Sequence, residues 1–177
     1  MALLGVAQDV REARSLLRGT FYCTVTNPDG TVERWKVKNA ATTAGLNYLL
    51  DTGFRAGTAA TTWYAGLING SGYSAVAAAD TMSSHAGWTE YTAYSETVRQ
   101  TWSPGAASGG VLVNSTVMTF TNGGASGSIQ GMFLTSNSTK SGTTGTLFST
   151  AVEGSPRSLA ASATFQVSYQ LDLTPVS

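Results

Sequence analysis

The chain has 177 residues, of which 42% are hydrophobic and only 11% carry a formal charge, ten basic and ten acidic. This length fits one domain with a sizeable core. The formal net charge of zero argues against nucleic-acid binding, which needs a basic face to neutralise phosphates, and against electrostatic attachment to an anionic membrane. Proteins with a net charge near zero repel one another only weakly and tend to associate. We therefore expect much of the surface of this chain to contact other protein.

The amino-terminal segment is more charged than the rest. Its residues predict a short helix or arm over residues 1–18, ending at Gly19, and a single β-sandwich domain over 19–177. So short a helix must dock either on its own domain or on a neighbour, and both alternatives stay open. The segment becomes charged too soon for a signal peptide, and no stretch is long enough for a membrane span. The apolar stripe comprises Val6, Val10, Ala13 and Leu17, and the basic stripe Arg11, Arg14 and Arg18.

The stretch "TFYCTVTNPDGTVERWKVKN" predicts a β-hairpin. Apolar residues alternate on both sides of Asn27-Pro28-Asp29-Gly30, where Pro and Gly suit a tight turn. Cys23 lies in the first of these strands and is the only cysteine, so no disulfide can form within the chain. We expect its thiol to be buried and inert.

The next stretch, "NAATTAGLNYLLDTGF", predicts one core helix. Leucines and a phenylalanine recur at helical spacing, Thr42 or Thr43 can cap the start, and Gly53 weakens the end. The apolar face is expected to comprise Leu46, Leu49, Leu50 and Phe54.

From residue 58 onward the pattern predicts strands only. Runs of β-prone residues end in Gly, Asn or Ser clusters, and "TEYTAYSETVRQTW" alternates over its whole length. Short strands separated by turn-forming clusters predict a mainly β protein, an antiparallel β-sandwich or jelly roll with one core helix and a short N-terminal helix or arm.

The only histidine, His85, lies in "SSHAGWTEY". A metal or acid-base site there would need carboxylates such as Glu90, which an extended chain would place on the opposite face. Ser83, Ser84 and Gly87 favour a tight turn, which Trp88 could pin to the core edge. We therefore expect no enzyme activity, cofactor or metal, and look instead for a bond from His85 to a backbone carbonyl or a neighbouring subunit.

Aromatic residues supply an alternative function. Aromatic faces stack on sugars, so these side chains could form a carbohydrate site, although alternation places them equally well in a core or a subunit interface. The residues concerned are Trp63, Tyr64, Tyr73, Trp88, Tyr91, Tyr94 and Trp102.

Four segments, "GLNYLLD", "WYAGLINGSG", "AAADTMSSHAGWTEYTAYSE" and "MFLTSNSTKSGTTGTLFS", resemble a family of small structural proteins of tailed bacteriophages. The resemblance covers residues 39–170 and is best over 63–96 and 132–149. Members are variously taken for capsid decoration (cement) proteins and for tail or fibre components, and the resemblance supplies no catalytic residues.

The resemblance implies a virion protein, made in the host cytoplasm and located on the capsid surface, that binds the major capsid protein and stabilises the head. It would act as a homo-oligomer or beside neighbouring copies, since many modest contacts on a lattice add up. The alternative is a tail or fibre-associated module that binds host glycans. Candidate residues for the capsid or subunit interface are Arg11, Arg14, Leu17, Arg18, Trp102 and Lys140.

Overall fold

The computed structural model describes residues 17–173, which form two antiparallel β-sheets packed face to face. The five-stranded sheet has the order β2-β1-β11-β7, and β8 also pairs with β11. It comprises β1 (Leu17–Thr26), β2 (Val32–Lys38), β7 (Val111–Val113), β8 (Met118–Thr121) and β11 (Thr164–Leu173). The predicted β-sandwich is confirmed.

The six-stranded sheet has the order β3-β10-β9-β4-β5, with β6 also paired to β4. It comprises β3 (Ala40–Ala41), β4 (Trp63–Asn69), β5 (Glu90–Tyr91), β6 (Gln100–Trp102), β9 (Gly127–Thr135) and β10 (Leu147–Leu159). A single helix of the described residues, α1 (Thr43–Phe54), follows β3.

The predicted hairpin joins β1 and β2. Asn27 N donates to Thr31 O, Gly30 N donates to Asn27 O, and Gly30 has a φ of 84°. This is the geometry of a three-residue hairpin loop whose last residue must adopt the left-handed conformation that glycine permits. The alternation in β1 buries Phe21, Cys23 and Val25, as predicted.

The main core lies between the two sheets. Cys23 Sγ of β1 lies 3.6 Å from Met132 Sδ of β9. Trp102 of β6 packs edge-on against Tyr169 of β11, with ring centroids 5.2 Å apart. Apolar side chains of both sheets therefore interdigitate, which is the packing that holds a sandwich together.

The six-stranded sheet also has a covered outer face. Ile68 and Phe133 point away from the main core and join Met82 and Trp88 in a second apolar cluster. Met82 and Trp88 belong to the connection between β4 and β5, which folds back over the sheet. This sheet is thus buried on both faces, whereas the five-stranded sheet is not covered in this way by residues 17–173.

Helix α1 begins as expected but packs differently. The Thr42 side chain accepts a hydrogen bond from Gly45 N, which confirms the predicted cap. The prediction of a fully apolar core face is wrong, because Leu50 is 57% exposed and Phe54 is 86% exposed. The helix lies on β10 through Gly45, its only buried residue, and its other residues are half-buried or exposed.

Two other predicted boundaries are also wrong. The alternating stretch 89–102 forms only the short strands β5 and β6, because Glu96 and Arg99 between them bond to other segments instead of a ladder. At the amino terminus, Leu17 and Arg18 do not end a helix. They pair with Leu173 and Asp172 as the first residues of β1, because the ladder with β11 satisfies their backbone groups.

Candidate interaction surface

The His85 segment forms a tight turn. His85 Nδ1 lies 2.9 Å from Trp88 O, and the imidazole stacks on the Trp88 indole with ring centroids 3.9 Å apart. Trp88 Nε1 donates to Asp80 Oδ2 at 3.0 Å. Gly87 allows close approach to Ala75, whose carbonyl oxygen would lie 2.2 Å from any Cβ at position 87. The predicted turn, its pinning by Trp88 and the contact of His85 with a backbone carbonyl are all confirmed.

A cleft of about 220 Å³ lies beside this turn. Its charged lining residues, Glu90 and Arg99, are 5% and 1% exposed and bind each other. Arg99 also donates to Asn137 O at 2.9 Å, and Ser141 N donates to Glu90 Oε2 at 2.6 Å. Since the hydrogen-bonding capacity of the pair is used to anchor the loop between β9 and β10, the cleft presents no free acid or base from these two residues.

Two kinds of reactive site, a metal cluster and an activated thiol, find no support in the described residues. Within 17–173, no group of three or more His, Cys, Asp or Glu is placed to hold a metal ion. Cys23 is buried in the main core, and burial raises the pKa of its thiol far above the ordinary value of 9.0, which disfavours the reactive thiolate. In the same part of the chain, no helix is long and apolar enough to cross a bilayer.

Lys140 has a role within the chain. Its Nζ donates to Tyr94 O at 2.6 Å and Thr92 O at 3.2 Å, and lies 3.7 Å from the centre of the Tyr94 ring. Burial lowers the pKa of this ammonium, and the charges of Glu96 and Glu90 oppose that shift. Lys140 thus holds the segment after β5 in place, because two backbone carbonyls and an aromatic face bind its charge, and its role in an interface stays a prediction.

The other predicted contact residues divide into three groups. Trp102 is only 5% exposed and belongs to the main core, so its prediction as an interface residue is wrong. Leu17 and Arg18 lie in β1 and are part of the sandwich instead of an arm. Arg11 and Arg14 lie outside the described residues.

The aromatic residues considered for sugar binding do not form an exposed platform. The sandwich buries four of them and half-buries three, because alternation along the strands turns them inward or under loops. The buried four are Trp88, Tyr91, Tyr94 and Trp102, and the half-buried three are Trp63, Tyr64 and Tyr73.

The outer side of the five-stranded sheet is an open, polar surface. Strand register places three rungs side by side, each with a cation on β2, a hydroxyl on β1 and an amide or hydroxyl on β11. We call these nine residues the polar face; all nine are exposed or half-buried. The rungs are Arg34-Thr24-Gln166, Lys36-Tyr22-Ser168 and Lys38-Thr20-Gln170.

The cations of the polar face differ from the other charges of the described chain. Arg34, Lys36 and Lys38 have no ion pair or side-chain hydrogen bond to any residue within 17–173. The carboxylates of the same range all have partners, and among the strands of the polar face only Asp172 lies on the same side of the sheet, one rung beyond Gln170 and bonded to it. They are Asp29, Glu33, Asp51, Asp80, Glu90, Glu96, Glu153 and Asp172.

The polar face was not predicted from the sequence, although the residue pattern that indicates it is present there. "ERWKVKN" alternates charged and apolar residues, so Arg34, Lys36 and Lys38 must share one face of a strand. What the sequence does not reveal is the pairing of β1 with β11, which in these rungs joins residues 142 to 150 positions apart.

Comparison with known proteins adds no family. No family model matches the chain, and no curated protein matches it.

Proposed function

We propose that this protein is a structural protein of a tailed-phage virion, a capsid decoration (cement) protein that binds the major capsid protein lattice. The observation that carries the proposal is the polar face. Within residues 17–173, one side of the sandwich is left uncovered and bears three exposed cations that no described carboxylate neutralises. A surface of this kind suits binding to another protein. The resemblance to phage structural proteins favours the major capsid protein as that partner.

The size of the polar face favours a lattice over a single partner. Three strands about 4.8 Å apart and about five residues long span roughly 10 by 14 Å between their outermost Cα atoms, and somewhat more with side chains. A stable interface between two proteins buries about 800 Å² on each partner. One such contact would therefore be weak, whereas many copies on a lattice gain from multivalency and from contacts between neighbouring copies.

Binding to capsids tests the proposal. Purified protein is mixed with heads that lack decoration and is sedimented over a range of protein concentrations. Saturable binding with a fixed number of copies per head is expected, and binding should weaken as salt is raised, because screening reduces the attraction of surface charges. The absence of saturable binding would overturn the proposal.

His85→Ala supplies a matched control for that experiment. His85 lies in the turn over the six-stranded sheet, on the side of the sandwich away from the polar face. We expect the variant to bind heads as the unaltered protein does. Loss of binding by a variant that still folds would indicate that the side bearing His85, and not the polar face, contacts the capsid.

A further inference from the structure

The open edge of the five-stranded sheet is β2. In the described residues this strand pairs only with β1, and it ends the strand order of its sheet. A strand at such an edge presents unpaired N–H and C=O groups that can pair with another chain.

The register identifies the residues that present these groups. Asn27 N donates to Thr31 O at one end of the hairpin, and Asn39 N donates to Gly19 O at the other. Hydrogen-bonded pairs recur at every second position of an antiparallel ladder. The bonds between β1 and β2 therefore run through the positions that share this parity, Glu33, Trp35 and Val37.

The intervening residues of β2 are Arg34, Lys36 and Lys38. Their N–H and C=O groups consequently point to the open edge, and their exposed side chains lie on the polar face. Cations two residues apart on a strand are separated by about 6.8 Å along it. An added strand has the same spacing between side chains on one face, so alternating acidic residues would lie opposite these three cations.

We infer that β2 binds an extended acidic segment of a partner protein by strand addition, with Asp or Glu at alternate positions opposite Arg34, Lys36 and Lys38. This inference deepens the proposed function, on which it rests for the identity of the partner as the capsid protein. Main-chain hydrogen bonds would supply affinity, and the three cations would select an acidic sequence.

A second copy of the chain does not fit this edge. Antiparallel pairing of two β2 strands about Lys36 would place Lys36 opposite Lys36 and Arg34 opposite Lys38. Like charges directly opposite each other destabilise a strand pair. The same cations that attract an acidic segment therefore disfavour self-association of β2 in this register.

The first test uses a capped seven-residue peptide with Glu at alternate positions and Thr and Val between them. Its control is the same peptide with Gln in place of Glu. We expect the Glu peptide to bind at least about tenfold more tightly, a difference of about 1.4 kcal/mol. It should also slow hydrogen exchange at the amides of Arg34, Lys36 and Lys38. Equal binding of the two peptides, or no binding of either, would overturn the inference.

A pair of variants separates strand addition from simple charge attraction. Lys36→Pro and Lys36→Gln both remove one charge, but only Lys36→Pro removes an edge N–H. Since that N–H points away from β1, a proline there leaves the ladder with β1 intact. We expect Lys36→Pro to bind the Glu peptide at least about tenfold more weakly than Lys36→Gln, with both folds verified by circular dichroism. Equal affinities would overturn strand addition.

The triple variant R34Q/K36Q/K38Q distinguishes this inference from the proposed function. If the inference is correct, the variant loses both the Glu peptide and undecorated heads. If heads bind the unaltered protein and the variant equally, the inference fails together with the polar face as the capsid-binding surface, and only the proposal that the protein binds capsids remains. If the Glu peptide binds but heads do not, the proposed function fails instead. Binding of a DNA oligonucleotide as tight as that of the Glu peptide would overturn the choice of a protein segment.

Discussion

The buried guanidinium of Arg99 binds the carboxylate of Glu90 through two hydrogen bonds, from Nε to Oε1 at 2.9 Å and from Nη2 to Oε2 at 2.8 Å. The same two side chains bond to Asn137 O and Ser141 N in the loop between β9 and β10. This pair therefore joins β5, the segment before β6 and a distant loop. It explains how a stretch with little regular secondary structure is held in one conformation.

Breaking the pair of Arg99 and Glu90 should lower the free energy of unfolding substantially. Arg99→Met leaves the Glu90 carboxylate buried without its cation, and such losses cost about 3–5 kcal/mol of unfolding free energy. Urea denaturation followed by fluorescence would measure it. The matched control is Arg55→Met, which breaks the exposed pair with Asp51 and should cost about 0–1 kcal/mol. A loss of less than about 1 kcal/mol for Arg99→Met would contradict this role.

Two glycines of α1 should respond in opposite directions to alanine. A Cβ at Gly45 would lie 2.2 Å from the Phe148 carbonyl oxygen, so Gly45→Ala must displace the helix from β10 and should cost about 1–3 kcal/mol. A Cβ at Gly53 meets nothing within 4 Å, so Gly53→Ala should stabilise by about 0.5–1 kcal/mol through helix propensity. Thermal unfolding measures both, and shifts of the same sign would contradict the packing of α1.

The protein should lose stability in alkali. Burial raises the pKa of the Cys23 thiol and of the Tyr94 and Tyr169 hydroxyls. Unfolding returns these groups to lower pKa values, so the unfolded chain releases its protons first. The stabilising contribution is complete below the ordinary thiol pKa of 9.0 and falls as pH rises above it. Urea denaturation at several pH values tests this, and a free energy of unfolding that stays constant up to about pH 11 would contradict it.

Cys23 offers an independent probe of the same core. Thiol reagents act on the thiolate, which burial disfavours. In the native protein, Ellman's reagent should therefore react at least about 10³-fold more slowly than in denaturant, because reaction requires unfolding. Rapid reaction without denaturant would show that the main core opens locally around β1.

The start of β1 at Leu17 sets how many amino-terminal residues can be removed while the fold is kept. The described strands begin at Leu17, so removal of residues 1–16 should leave the β signal in circular dichroism and cooperative unfolding unchanged. Removal of residues 1–20 also deletes the pairs from Leu17–Leu173 to Thr20–Gln170. That deletion should cost about 2 kcal/mol or more, at about 1 kcal/mol for each lost backbone bond. Equal stability of the two truncated proteins would contradict the start of β1.

Local patterns predicted the elements that depend on near neighbours. The alternation of Phe21, Cys23 and Val25, the Asn27–Gly30 turn and the Thr42 cap each involve residues a few positions apart, and the structure confirms all three. The turn at His85 belongs to the same class, because its contacts with Trp88 are local.

Features that depend on distant segments could not be predicted in this way. Helical spacing cannot reveal that Leu50 and Phe54 extend beyond β10 and remain exposed. Alternation over 89–102 predicts a strand, but Arg99 finds its partners in Glu90 and Asn137 instead. Helical spacing placed Leu17 on an apolar helix stripe, but Leu17 pairs with the distant Leu173 in the ladder between β1 and β11.

We propose that the polar face is the surface through which the protein binds the phage head. Electron cryomicroscopy of undecorated heads saturated with the purified protein tests it most directly. We expect density for the sandwich at regular positions on the capsid, with Arg34, Lys36 and Lys38 turned toward the major capsid protein. Bound sandwiches that contact the capsid through the side bearing His85 and Trp88, with the polar face toward solvent, would contradict it.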